Sequence, residues 1–301
     1  MKKKKLKMTF KTRRQRENEQ FMPVSVPAPL AADELDEDEP RSPLDRAQDI
    51  VYDAWEEAND RKRVAMARKA LSISPVCDDA YMLLAQEHAQ TLEEVIALYK
   101  SGVAAGERAL GPEAFNDDAG HFWGILATRP YMRVRQKLAE SLWLSGKREE
   151  AAAHFREMLR LNPGDNQGIR YQLMPCLIEL DCDKEAEALY KVFKNDAVAN
   201  WSYARALLDF RKSGDSPRGK KLLTVAIAGN KYIPAYLLGK KQMPHALPSF
   251  IQIGEEDEAV AFTFYNLEAW RATAGALDWL AQQENLDALT KSLVNRKSNT
   301  A

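Results

Sequence analysis

The 301-residue chain is poor in the residues on which most protein chemistry depends. It has three cysteines, Cys77, Cys176 and Cys182, and no two of them form a CxxC or CxxxC pair. That spacing excludes zinc-ribbon and dithiol redox motifs. Reduced thiols packed as small hydrophobes are expected instead. Four histidines occur, none at i, i+4 from another, none in an HExxH motif and none in a Cys/His cluster of metal-binding spacing. There is no glycine-rich phosphate loop followed by lysine, no GxSxG and no GxGxxG. No cofactor, no metal and no catalytic residue is therefore expected. A hydrolase built on His121 and Asp117, beside Trp123, is the weakest of the functional readings. No run of apolar residues approaches the ~18–20 needed to cross a bilayer, and the basic start is not followed by a signal-peptide core. These features predict a soluble, cytoplasmic protein. A formal net charge of −1 gives no global preference for nucleic acid or acidic membranes.

What is present is periodicity. Gly146 and Gly214 lie 68 residues apart, twice the 34-residue tetratricopeptide period, and each sits at the same point of a two-helix pattern. In Leu138–Ala139, Leu142, Gly146, Ala151, Phe155, Met158 and Pro163 a glycine turn joins two helices, a small alanine lets them approach, and proline ends the second. The second copy reads Ala206–Leu207, Phe210, Gly214, Gly219, Leu223, Ala226. Between them lies a stretched copy, Leu173, Cys176, Asp181, Ala186, Tyr190, Phe193. An all-α helical-repeat solenoid of tetratricopeptide type is predicted, and such repeats expose surfaces that bind other proteins.

The array is expected to span residues 43–284. Ser42–Pro43 reads as a helix start, and Pro75 closes the first repeat as Pro163 closes a later one. These two prolines are 88 residues apart, about twenty more than two periods. A packed insertion over about 110–130 is therefore expected, with Thr128 capping the helix that begins at Pro130. From about 234 to 284 the pattern changes to a proline-bearing segment and then apolar helices, which read as a C-terminal helical cap. Residues 1–42 read as a disordered charged arm: nine Lys and Arg within the first sixteen positions, then an acidic run from Asp33 to Glu39. Residues 285–301 read as a polar tail.

Arg129–Pro130–Tyr131–Met132–Arg133, running through Leu161–Asn162–Pro163–Gly164–Asp165–Asn166–Gln167–Gly168–Ile169–Arg170–Tyr171, forms one characteristic block. Pro234–Ala235–Tyr236–Leu237–Leu238, Gly254, Asp257–Glu258–Ala259, Trp270 and Gly275–Ala276–Leu277 form a second. Together they resemble the suppression-of-tumorigenicity-seven family and its shorter soluble bacterial relatives over roughly residues 45–280. The resemblance implies an α-helical repeat protein with no catalytic residues to carry over. It also implies membrane association for animal members through hydrophobic N-terminal segments, where this sequence has a charged arm instead.

In tetratricopeptide arrays the first helix of each pair lines the inner curve. Here its positions are Arg133, Gln136, Glu140 and Trp143, then Gln167, Arg170, Met174 and Leu177, then Trp201, Ala204, Leu208 and Arg211. Arg133, Arg170 and Arg211 suit a carboxylate-bearing or acidic peptide. Trp143 and Trp201 suit apolar anchoring, with Gln136 and Gln167 contributing amides. Alternatively, the C-terminal helices fill this groove and pair with the arginines internally. Asn162–Gly168 reads either as a turn and helix cap or as the mouth of the groove. The leading expectation is a non-enzymatic protein-binding adaptor. The alternative is nucleic-acid or acidic-partner binding through the basic arm, although no aromatic platform accompanies it.

Overall fold

The computed structural model describes residues 41–283; the basic arm, the acidic run and the polar tail fall outside them, apart from Arg41 and Ser42. Every regular element among the described residues is helical. They divide into two compact units, 41–170 and 171–283.

The first unit holds α1 (Pro43–Glu56), α2 (Asp60–Ile73), α3 (Asp78–Glu87), α4 (Leu92–Asp117), α5 (Arg129–Leu144) and α6 (Arg148–Leu161). They pack as three antiparallel pairs, and the first helices α1, α3 and α5 also touch in succession. Local chemistry sets the boundaries. Ser42 closes a capping box in which its hydroxyl accepts from the Asp45 N–H at 3.1 Å and Asp45 accepts from the Ser42 N–H at 3.1 Å. Pro43 occupies the first turn, where its missing N–H is not needed. The Asn59 and Thr91 side chains cap α2 and α4 by accepting from the Lys62 and Glu94 N–H groups, each at 3.1 Å. Gly146 turns α5 into α6 at φ +85°, a region side chains disfavour.

The segment after α4 packs through aromatic side chains. Gly111, at φ +74°, breaks α4 just before Pro112. Two 3₁₀ turns, Phe122–Gly124 and Leu126–Thr128, then carry Phe122 into full burial. Its ring meets Phe115 at 5.3 Å and Tyr131 at 6.2 Å. Thr128 does not cap α5. It lies in helical rather than extended backbone, and its buried hydroxyl donates to the Ile125 and Phe122 carbonyls, satisfying the 3₁₀ turns instead.

The second unit holds α7 (Arg170–Glu179), α8 (Asp183–Val192), α9 (Ala199–Ser213), α10 (Pro217–Gly229), α11 (Ile233–Leu237) and α12 (Glu256–Ala272), followed by helical residues 276–283. Gly214 ends α9 at φ +62°, and Ser216 caps α10. In the stretched copy the same left-handed turn falls on Asp181, at φ +56°. Glu258 is the pin of this unit. Buried, it accepts from the Ala199 N–H at 2.9 Å, the Asn230 side-chain amide at 2.9 Å and the Gly254 N–H at 2.7 Å. One carboxylate thereby fixes the start of α9, the end of α10 and the irregular segment before α12. Tyr203 packs on Phe262 at 5.1 Å, and Phe210 stacks on Trp279 at 4.6 Å.

Candidate functional site

The first unit carries a polar and aromatic cluster where α1, α3 and α5 meet. Arg133 leaves α5 and reaches Asp79, the second residue of α3, whose side chain is fully buried. Its Nε donates to Asp79 Oδ1 at 3.3 Å and its Nη2 to Oδ2. Asp79 also accepts from Gln48 of α1 at 2.9 Å. The guanidinium lies 5.5 Å from the ring centre of Trp55, and Trp55 packs against Tyr52 at 5.5 Å. Tyr52, at 46% exposure, is one of the few large apolar side chains the unit shows to solvent. The tryptophan is half-buried and its inner edge rests on the apolar core of the first two pairs.

Electrostatics follow from burial. Desolvation and then the neighbouring Asp79 charge push the Asp78 carboxyl far above the usual carboxylate range. Two adjacent buried carboxyls face one arginine, and Asp79 takes its hydrogen bonds. Asp78 packs its oxygen against Gly106 of α4, where an added Cβ would sit 2.7 Å from it and 2.9 Å from the Tyr131 ring. Burial alone would lower Arg133, but the Asp79 charge and hydrogen bonds outweigh it and leave its pKa raised. Burial pushes the Cys77 thiol up to about 12, so it is an inert core residue.

The remaining groove candidates are accounted for by contacts within their own units. Gln167, only 8% exposed, donates its amide to Gln136 Oε1 at 3.0 Å. Trp143 is buried with the Arg148 guanidinium 4.6 Å over its ring. Arg170 pairs at 2.7 Å with buried Asp165. Asp165, at φ +50°, also caps α7 by accepting from the Ile169 N–H at 2.6 Å and the Arg170 N–H at 3.1 Å. The turn-and-cap reading of the Asn162–Gly168 motif is thus realised through Asp165. Arg211 donates to Asp181 at 2.6 Å, Asp183 at 2.7 Å and Thr273 at 3.0 Å. Trp201 is 1% exposed, with its ring stacked on Tyr190 and edge-on to Tyr171 and Phe193. Met174, Leu177, Ala204 and Leu208 are buried as well. In the second unit the apolar positions expected to line a groove are core, and Arg211 is held by two aspartates and Thr273.

Sequence reasoning missed Gln48, Tyr52, Trp55 and Asp79. Asp78–Asp79 looks like an ordinary acidic first turn, and nothing local marks Tyr52 and Trp55 as neighbours of an arginine about eighty residues on. His121 is exposed, and among the described residues no group of three or more His, Cys, Asp and Glu could hold a metal ion. No helix among them is long and apolar enough to cross a membrane.

The sequence pattern of the family described as ST7 protein matches residues 35–286. The chain belongs to the ST7 family. A protein ST7 homolog of Drosophila melanogaster is 27% identical over 259 residues, covering 77% of this chain and 47% of that protein. A protein ST7 homolog of Caenorhabditis elegans is 26% identical over 280 residues, covering 82% and 51%. The suppressor of tumorigenicity 7 protein-like of Homo sapiens is 25% identical over 253 residues, covering 77% and 44%. This ST7-family chain thus spans about half the length of the relatives it matches. The match takes in both units, so the Arg133 cluster and the Glu258 pin lie inside the family region.

Proposed function

We propose that this ST7-family protein is a non-catalytic scaffold of tetratricopeptide type. It holds a segment of another protein against the first helices of its first unit. The observation that carries this reading is the Tyr52–Trp55–Arg133 cluster. Three successive first helices present a rigid cation and two aromatic rings at one surface, backed by a buried carboxylate. Aromatic residues and arginine are the side chains that dominate protein interfaces, because they offer large rigid area and several donors at little entropic cost. The glycine turns and closing prolines add the repeat layout in which first helices face a ligand.

The test must spare the fold. Replacing Arg133, Arg170 and Arg211 by alanine would strip the partners from buried or capping carboxylates, so lost binding could reflect lost structure. Tyr52→Ala is cleaner, since the side chain is half exposed. In affinity purification from the native cell, partners recovered with wild type should be absent from Tyr52→Ala, with an unchanged thermal unfolding midpoint. Identical partner sets would overturn the proposal.

A further inference from the structure

We propose that residues 284–301 dock on the second unit of their own chain, as an amphipathic helix laid along α10 over Val225 and Ile253. This contact belongs to the second unit and is independent of the Arg133 cluster in the first.

Val225 on α10 is 58% exposed, and Phe250 and Ile253, in the irregular segment before α12, are 69% and 64% exposed. That segment closes on the end of α10. An added Cβ at Gly254 would stand 3.4 Å from the Gly229 carbonyl oxygen, and the Asn230 side-chain amide donates to the Glu255 carbonyl at 2.9 Å. Val225 lies one turn before Gly229 and Ile253 adjoins Gly254, so both border the same edge of the unit. A single exposed apolar side chain needs no partner. Here the chain itself delivers one.

Residues 276–283 run along α10 in its own direction. Trp279 stacks on Phe210 and donates to Asp215, just before α10, at 3.0 Å. Its ring would lie 3.4 Å from a Cβ on Gly219. One turn later Gln283 donates to Thr224 Oγ1 at 3.5 Å. The last described residue thus stands beside the neighbour of Val225, heading for the end of α10. Within the stretch read as a polar tail, Leu286, Leu289, Leu293 and Val294 follow at helical spacing, the first of them three residues after Gln283. About 7.5 Å of α10 remains beyond Thr224, so a helix continued from Gln283 passes Val225 and reaches Gly254 within about five residues. Its basic end, Lys291, Arg296 and Lys297, then meets the acidic start of α12, where Glu255 is exposed, and the carbonyl end of α10. Tethered at the surface, the segment has an effective concentration on the order of millimolar, above that of a second copy.

The test is trypsin treatment of the full chain under native conditions, with cleavage after Lys291 timed by mass spectrometry. Cleavage of a docked segment tracks the fraction that is open. Leu286→Asp in the segment and Val225→Asp on the surface should each speed it by about tenfold or more, the worth of burying one such side chain. Val192→Asp is the control: Val192 is 71% exposed on α8, and replacing it should leave the rate unchanged. The wild-type rate should also be independent of protein concentration. Equal rates in wild type, Leu286→Asp and Val225→Asp would overturn the inference, as would an equal acceleration by Val192→Asp. Protection that grows with concentration would make a second copy the occupant and overturn docking within one chain.

Discussion

Asp78 makes the stability of the first unit depend on pH in an unusual direction. Its residue is 5% exposed, its carboxyl lies against Gly106, and its folded pKa is raised to about 8 from 3.8 by burial first and then by the Asp79 charge. A group with a raised folded pKa contributes stability that is complete below its unfolded value and is lost as pH rises through the folded one. His154 has the opposite effect. Burial first, then the Arg135 and Lys100 charges, lower its pKa to about 4 from 6.5, so its contribution is lost as pH falls between those values. Between pH 8 and 6.5 the buried Asp78 carboxyl titrates above the range in which His154 acts. One proton is worth about 1.4 kcal/mol per pH unit, so acidification over that range stabilises the unit by about 2 kcal/mol. Below pH 6.5 the two groups offset each other and the curve should flatten. Asp78→Asn keeps an acceptor for the Asp79 N–H, which Asp78 Oδ1 now takes at 2.9 Å, but cannot ionise. Urea unfolding of the full chain, followed by tryptophan fluorescence from pH 5 to 8.5, reads both effects. Wild type should gain stability from pH 8 to 6.5, and Asp78→Asn should lose that limb. A wild-type curve rising with pH in this window, or an unchanged limb in Asp78→Asn, would refute the reasoning.

Gly106→Ala should destabilise the chain by about 1–3 kcal/mol. Its Cβ would lie 2.7 Å from the Asp78 carboxylate and 2.9 Å from the Tyr131 ring, and urea unfolding checks the loss. Trp201→Ala should cost about 3–5 kcal/mol, because the indole sits among Tyr171, Tyr190 and Phe193 with 1% exposure. Calorimetry showing an unchanged midpoint would instead make Trp201 a free interface anchor.

Much of the fold was legible because its signals are local. Ser42–Pro43, Gly146, Gly214 and Pro163 act on their own backbone, through capping, positive φ and a missing N–H, and each acts at its expected place. Asp181 shows the limit: the stretched copy keeps the turn with a non-glycine residue, which no spacing rule anticipates. Thr128 shows a second limit. A threonine before Arg–Pro has two uses for its hydroxyl, and burial under Phe122 selects the 3₁₀ carbonyls over the helix cap. Glu258 ends the acidic run Glu255–Glu258 at the start of α12, where local sequence shows only residues that suit a helix N-terminus. Its role as a threefold acceptor depends on Ala199 and Asn230, which are distant in the chain.

The candidate site was legible only in part, and the reason is electrostatic. An arginine on a first helix can face a ligand or brace the fold, and sequence shows the cation without its counter-ion. Arg170 braces: its aspartate is buried and caps the helix on which the arginine stands. Arg211 braces too, spanning two aspartates and Thr273 with 10% of its side chain exposed. Arg133 differs in its neighbours. Its counter-ion is equally buried, but the guanidinium also lies against a half-buried tryptophan and beside an exposed tyrosine.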